Sequence, residues 1–143
     1  MSARPATMDE WFTIHSVFVR YATSLDHGDV DAVVDCFMPD ATLVSPVLGT
    51  FAGHAGIRDF ARRTARLLEE GAQFRHVVSN LTADVEGDRA LARCYLLDFR
   101  TRAGKTQLLS PGEYECELRN VDGRWRFASR VVHMDQTFGV QDI

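Results

Sequence analysis

Polar and apolar residues alternate strictly through Glu113-Tyr114-Glu115-Cys116-Glu117-Leu118-Arg119. A period of two places successive side chains on opposite faces of a strand, so Tyr114, Cys116 and Leu118 share one face. The charged residues share the other face, which is therefore in water. This arrangement is typical of an antiparallel sheet that packs against a core on one side only.

The same period extends over the whole chain after Gly71. Three turn signals, Gly87-Asp88, Ala103-Gly104 and Asp122-Gly123, divide this part of the sequence. Glycine next to a small or acidic residue favours the tight turns that join antiparallel strands. The sequence thus predicts a meander of four long strands over residues 73–85, 90–102, 105–119 and 124–138.

Before Gly71 the apolar spacing is helical. Thr7 and Glu10 form a capping box at the start of a first helix, and Gly28 ends it. A second helix is predicted over residues 29–37 and a third between Gly53 and Gly71, separated by a turn at Pro39-Asp40 and a short extended pair around residues 42–51. Helices followed by a meander predict an α+β fold, a cone of three N-terminal helices packed in a curved antiparallel sheet. The open end of such a cone is a natural ligand pocket.

Composition restricts the classes of function. The chain has 143 residues, 45% of them hydrophobic, and a formal net charge of −4 with scattered basic residues. We expect one domain over residues 1–143, and no affinity for nucleic acid or an anionic membrane. The N-terminal sequence has no apolar core of the signal-peptide type and no later run is long enough to span a bilayer, so we expect a cytoplasmic protein. Cys36, Cys94 and Cys116 are widely spaced, which favours buried thiols over disulfides or a zinc site.

Tyr21, Asp26 and His76 are the candidate catalytic residues. Tyr21 lies in the apolar stripe of the first helix, which comprises Trp11, Ile14, Phe18, Tyr21 and Leu25. Asp26 lies about 80° from the centre of that stripe at ~100° per residue, close enough to point into a cavity beside the helix. His76 belongs to the strand that follows Gly71. An imidazole held by a carboxylate is a base suited to removing a proton next to a carbonyl, while a phenol can donate to the enolate oxygen.

Several motifs also carry a family resemblance that covers residues 11–138. They are Tyr21-Ala22-Thr23-Ser24-Leu25-Asp26-His27-Gly28-Asp29, Phe37-Met38-Pro39-Asp40-Ala41, Gly53-His54-Ala55-Gly56-Ile57, Arg75-His76-Val77-Val78-Ser79-Asn80, and Gly123-Arg124-Trp125-Arg126-Phe127 followed by Arg130. The chain resembles the SnoaL-like domains of the nuclear transport factor 2 superfamily, a cone-shaped α+β fold. The superfamily includes dehydratases, isomerases, aldol-type cyclases, epoxide hydrolases and members without catalysis, so the fold does not fix the reaction.

The resemblance implies roles for the three candidates. Dehydratases of this superfamily that act on scytalone and on oxo-bile acids use an Asp–His pair with tyrosines nearby. Asp26 matches the helix carboxylate, His76 the strand histidine and Tyr21 the helix tyrosine of the bile-acid type. Leu25 departs from the scytalone type, which carries a tyrosine there. The polyketide cyclases of the family rely instead on a pocket aspartate, and the sequence leaves both reactions open.

The last strand supplies the candidate substrate-binding residues. Regular alternation would put Trp125, Phe127, Ser129, Val131 and His133 on one face, so His133 and Trp125 are expected to line the pocket together with Phe18 of the first helix. Arg130 would face away unless a bulge intervenes, although the family resemblance implies a pocket or interface arginine. His133 and Asp135 with His76 also raise the alternative of an iron site with two histidines and one carboxylate. The short sequence after Asp135 disfavours that alternative, and we expect no metal. The arginines Arg62, Arg63 and Arg66 are interpreted as a solvated helix face.

The sequence therefore predicts a cofactor-independent acid–base lyase or isomerase of dehydratase type. Its expected substrate is a hydrophobic, carbonyl-bearing polycyclic or aromatic small molecule. The alternatives are a non-catalytic binding or oxygenase accessory subunit and an aldol-type polyketide cyclase. The family resemblance and the extent of sheet left uncovered by three helices predict a homodimer or homotrimer formed through the outer face of the sheet.

Overall fold

The structure, a computed structural model, describes residues 2–139, which form three helices and seven strands. The helices are α1 (Met8–Asp26), α2 (Val30–Asp35) and α3 (Gly53–Glu69). The strands are β1 (Arg4–Pro5), β2 (Phe37–Ser45), β3 (Gly49–Ala52), β4 (Gln73–Glu86), β5 (Arg89–Arg102), β6 (Lys105–Val121) and β7 (Arg124–Met134). No helix within residues 2–139 is long and apolar enough to cross a membrane.

The strands form one sheet in the order β1-β4-β5-β6-β7-β2-β3. The predicted α+β cone of three helices and a curved sheet is confirmed. One detail of the prediction is wrong, because β2 pairs with β7 in parallel and the sheet is mixed. A parallel pair needs a long connection, and the chain between β2 and β7 supplies one through α3 and the whole meander.

Helix α1 begins and ends as the sequence predicts. The Thr7 hydroxyl accepts from the Glu10 N–H at 3.2 Å, and the Glu10 carboxylate accepts from the Thr7 N–H at 2.9 Å. Gly28 follows the helix with φ +72°, and a Cβ there would lie 3.2 Å from the Leu68 side chain of α3. Glycine thus permits both the left-handed backbone and the close contact that fixes the end of α1 against α3.

A bulge in β7 changes which of its residues face the core. Leu118 pairs with Phe127 but Glu117 pairs with Ser129, so Ala128 has no partner in the ladder. Phe127 and Arg130 consequently both face inward, and His133 faces outward. The expectation of regular alternation through His133 is therefore wrong, because one extra residue reverses the parity of every residue after it.

The predicted turn at Pro39-Asp40 is also wrong, since both residues lie within β2. The pairing of β2 with β7 breaks between Phe37 and Thr42, so this segment bows away from its neighbour. Proline has no N–H to donate, and it occupies a position where the ladder is interrupted.

Candidate active site

Asp26 and His76 form the centre of the site. Asp26 is the last residue of α1 and His76 lies near the start of β4. The Asp26 Oδ1 atom is 2.6 Å from His76 Nδ1, and the backbone N–H of His76 donates to Asp26 Oδ2 at 2.9 Å. The Gln73 side chain also donates to the backbone carbonyl of Asp26 at 3.1 Å. Because a carboxylate only accepts, the short contact assigns the proton to Nδ1 and leaves Nε2 as the reactive nitrogen.

Nε2 faces a second carboxylate that the sequence analysis missed. Asp98 of β5 places its Oδ1 atom 3.5 Å from His76 Nε2. The Asp98 Oδ1 atom is buried and forms no hydrogen bond to any of residues 2–139. If both groups were deprotonated, two lone pairs would face each other, so the contact favours one proton held by the pair.

The electrostatics of the pair agree with this interpretation. Burial, the largest single influence on His76, acts to lower its pKa, but the carboxylates of Asp98 and Asp26 outweigh it and the pKa is raised. Burial also raises the pKa of the Asp98 carboxyl; the nearby His76 opposes that shift and Asp26 adds to it. Perturbed, coupled groups of this kind are typical of acid–base sites, where a proton must be taken up and released near neutral pH.

Asp26 and His76 form a dyad, of which His76 borders a largely apolar cavity at the open end of the cone. The empty space in the cavity and the open solvent at its mouth together amount to about 670 Å³. Its polar wall includes Tyr21, Ser45, His76, Asp98 and Tyr114. Its apolar lining is Leu25, Leu43, Leu48, Phe60, Leu67, Phe74, Leu96, Leu109, Val132, Met134 and Phe138. Asp26 does not line it. The expectation that Asp26 points into the cavity is therefore wrong, since it lies behind His76 and orients it.

Two tyrosines contribute to the cavity wall. Tyr21 and Tyr114 are buried and their rings meet edge to face with centroids 6.3 Å apart. Burial raises the pKa of both phenols, with the nearby Arg130 opposing the shift. Tyr21 forms no hydrogen bond with Asp26 or His76 in the described part of the chain. Both phenols are thus neutral donors beside the dyad rather than members of it.

Arg130 is fully buried behind these tyrosines. Its guanidinium carbon lies 3.6 Å from the ring centroid of Tyr114 and 4.0 Å from that of Tyr21, with Phe127 and Phe18 completing the enclosure. Its Nη1 atom donates a weak hydrogen bond to Cys116 Sγ at 3.6 Å. No carboxylate of residues 2–139 pairs with it. Aromatic faces therefore supply the main compensation for this buried charge.

The remaining candidate substrate-binding residues lie outside the cavity. His133 is on the outer face of the sheet, where Nε2 is 3.3 Å from Glu115 Oε2. Trp125 borders a different depression beside α1, and Phe18 is a fully buried core residue packed edge to face on Phe127. The expectation that these residues and Arg130 line the pocket is wrong. The β7 bulge turns His133 to the outer face of the sheet. Trp125 faces inward, but at the end of β7 opposite to the cavity.

The sequence contains signals for the residues that were missed. Ala90, Ala92, Cys94 and Leu96 alternate inward along β5, and Asp98 continues the same parity. Tyr114 shares the apolar face of β6 with Cys116 and Leu118. No group of three metal-ligating side chains occurs within residues 2–139, and His76 and His133 lie on opposite faces of the sheet.

Comparison with known proteins agrees with this architecture. Residues 9–131 match the family model described as the SnoaL-like domain. Rv3472, a protein of unknown function from Mycobacterium tuberculosis, is 27% identical, with a TM-score of 0.80 over 92% of this chain and 73% of that one. An NTF2-like protein with a cystatin-like fold from Novosphingobium aromaticivorans is 24% identical, with a TM-score of 0.80 over 90% of this chain and 84% of that one.

A candidate scytalone dehydratase from Novosphingobium aromaticivorans is 17% identical, with a TM-score of 0.78 over 90% of this chain and 86% of its own. At this level of identity the similarity concerns the fold alone. None of the curated proteins is a significant match to this sequence.

Proposed function

Because the chain belongs to the SnoaL-like domain family, we propose that it is a cofactor-independent acid–base lyase or isomerase of dehydratase type. Its substrate is a hydrophobic, carbonyl-bearing polycyclic or aromatic small molecule. The observation that carries this proposal is the 2.6 Å contact between Asp26 and His76 at the wall of an apolar cavity. A positioned imidazole in a pocket of otherwise apolar character is the arrangement that proton abstraction next to a carbonyl needs.

In this mechanism the base is the state of the His76–Asp98 pair that holds no proton, and in that state His76 Nε2 removes a proton from the carbon next to the substrate carbonyl. The electron pair of the broken C–H bond moves into an enolate, whose oxygen accepts a hydrogen bond from Tyr21, with Tyr114 nearby. The imidazolium then returns its proton to a hydroxyl on the next carbon, which leaves as water when the double bond forms. Asp26 stabilises the imidazolium. The Asp98 Oδ1 atom, which has no hydrogen bond from residues 2–139, can accept one from that hydroxyl.

The lining of the cavity supports the substrate class. Leucine and phenylalanine side chains dominate the wall, so the binding of fused or aromatic rings would be driven by apolar burial. The polar groups at His76 then fix the orientation of the carbonyl.

Proton abstraction can be tested without knowing the natural substrate. A panel of aryl ketones such as 1-tetralone is incubated in deuterium oxide, and exchange of the proton next to the carbonyl is followed by NMR. The wild-type protein should accelerate exchange, and His76→Ala should lower the rate by about 10²–10⁴-fold. A chelator should leave the rate unchanged.

His133→Ala is the matched control, because His133 lies on the outer face and should not affect the rate. Full exchange by His76→Ala would overturn the proposed mechanism. Binding of the ketones without any exchange by the wild-type protein would favour the alternative of a non-catalytic binding protein.

A further inference from the structure

One arginine lies in the wall of the cavity. Helix α3 contributes Phe60, Arg63, Thr64 and Leu67 to the lining, at the spacings of three and four that place residues on one helix face. Arg63 is half-buried between Phe60 and Leu67, whereas Arg62 and Arg66 are exposed. The interpretation of all three arginines as a solvated face is therefore wrong for Arg63. A charged residue within an apolar stripe is informative because burial of a charge is costly.

Among the described residues, Arg63 also lacks a partner for its charge. Arg58, one turn earlier on the same helix, pairs with Asp31 at 2.6 Å. No carboxylate within residues 2–139 forms an ion pair with Arg63, and no hydrogen bond satisfies its guanidinium there. The guanidinium stays charged in proteins and presents a planar set of donors that fits a carboxylate in a bidentate manner.

We propose that Arg63 binds a carboxylate of the substrate, which makes the substrate a hydrophobic aromatic or polycyclic acid. This inference rests on the proposed function, because the carbonyl that reacts must reach His76 while the carboxylate is held on α3. The charges in the cavity favour that orientation. Asp98 lies beside His76 and Asp26 lies behind it, so an anionic group is repelled from the dyad and attracted to Arg63.

Two isosteric probes test the inference by binding alone. 2-Naphthoate and 2-acetylnaphthalene have the same ring system and an aryl carbonyl, but only the first is an anion. Binding is followed by NMR of methionine methyl groups labelled with carbon-13, since Met134 lines the cavity and Met8 is exposed on α1. A shift of the Met134 signal without a shift of the Met8 signal places the probe in the cavity.

The wild-type protein should bind 2-naphthoate about 10-fold or more tightly than 2-acetylnaphthalene, as expected for a charge-assisted hydrogen bond. Arg63→Met should raise the Kd of 2-naphthoate about 10-fold or more and change that of the ketone less than about 2-fold. Arg62→Met, a neighbouring exposed arginine, should leave both values unchanged. Arg63→Lys keeps the charge and should retain part of the preference.

Each other outcome counts against the inference. Equal affinity of the wild-type protein for the two probes, or equal losses for both in Arg63→Met, would mean that Arg63 only packs its stem and extends its head to water. The proposed function would then stand without the carboxylate. Failure of both probes to shift Met134 at millimolar concentration would overturn the inference together with the proposed substrate class.

Discussion

Asp26 contacts His76 twice, through the ring nitrogen Nδ1 at 2.6 Å and through the backbone N–H at 2.9 Å. The first contact fixes the tautomer of the ring. The second contact joins the end of α1 to the beginning of β4, so the Asp26 carboxylate is also a structural link. Orientation of His76 and attachment of the helix therefore depend on the same side chain.

Asp26→Asn should lower the free energy of unfolding by about 1–3 kcal/mol. The asparagine amide can accept from only one of the two N–H groups, and its NH₂ group would face the other. Urea unfolding measures the loss. Asp84→Asn is the control, because the Asp84 side chain is exposed and forms no ion pair or hydrogen bond with any described residue. Equal stability of Asp26→Asn and the wild-type protein would contradict the role of Asp26 as a link.

The His76–Asp98 contact predicts how stability depends on pH. The pKa of His76 is raised above its ordinary value of 6.5, so the folded state binds this proton more tightly than the unfolded chain does. The resulting stabilisation is fully present below about pH 6.5 and is lost as the pH rises through the folded-state pKa. The pKa of Asp98 is also raised, so protonation of Asp98 stabilises the folded state too. That stabilisation is likewise lost as the pH rises, beginning at a lower pH than for His76. As the pH rises from about 6 through the folded-state pKa of His76, the free energy of unfolding should therefore fall, and by less in His76→Gln.

Asp98→Asn tests which carboxylate is responsible. Asp98 is the largest influence that raises the pKa of His76, so its neutralisation should lower that pKa. Titration of the His76 ring by NMR measures the change, and Glu113→Gln on the exposed face of β6 is the control. An unchanged His76 titration in Asp98→Asn would show that no proton is held between the two side chains.

Arg130→Met separates the effects of charge and volume at the buried guanidinium. The methionine fills much of the same space and removes the desolvation cost of an ion without a carboxylate partner, so the free energy of unfolding should stay equal or rise. Arg130→Ala should lower it by about 3 kcal/mol because it leaves a cavity among the four rings. Equal losses in both variants would show that the cation–π contacts stabilise more than burial of the charge costs.

The rate of proton exchange should also fall in Arg130→Met, since Arg130 opposes the rise in the pKa of Tyr21 and Tyr114.

The sequence predicts the elements of this fold well because local rules determine them. The Thr7–Glu10 capping box, the end of α1 at Gly28 and the turn at Gly87 each depend on neighbouring residues. The bulge at Ala128 depends instead on how β7 pairs with β6, which no local pattern in the sequence reveals. This single residue explains why Arg130 is found inside and His133 outside.

The contents of the site were predictable to different degrees. Asp26 and His76 are far apart in sequence, so their pairing is predicted from the chemistry of the two side chains and from the family resemblance rather than from spacing. Asp98 and Tyr114 follow strand parities that are visible in the sequence. The charges of Arg62, Arg63 and Arg66 together predict a solvated helix face, and only the lining of the cavity shows that Arg63 departs from it.

The outer face of the sheet is the predicted surface of self-association. Val77 of β4 pairs with Leu97 of β5, and Tyr95 lies two residues before Leu97 on the same face. The exposed fractions of the three side chains are 45%, 38% and 51%, respectively. Adjacent exposed apolar residues on a sheet face are typical of a surface that another chain covers.

We expect a dimer or trimer by light scattering at high micromolar concentration. Leu97→Glu should convert the oligomer to a monomer. Association of two copies of this variant would bury the introduced carboxylate without a partner, which is costly. Phe12→Glu is the matched control, since Phe12 is an exposed apolar residue on α1 and lies away from the sheet face. A monomeric mass for the wild-type protein would contradict self-association altogether. Loss of the oligomer in Phe12→Glu but not in Leu97→Glu would instead assign the interface to the helix side of the cone.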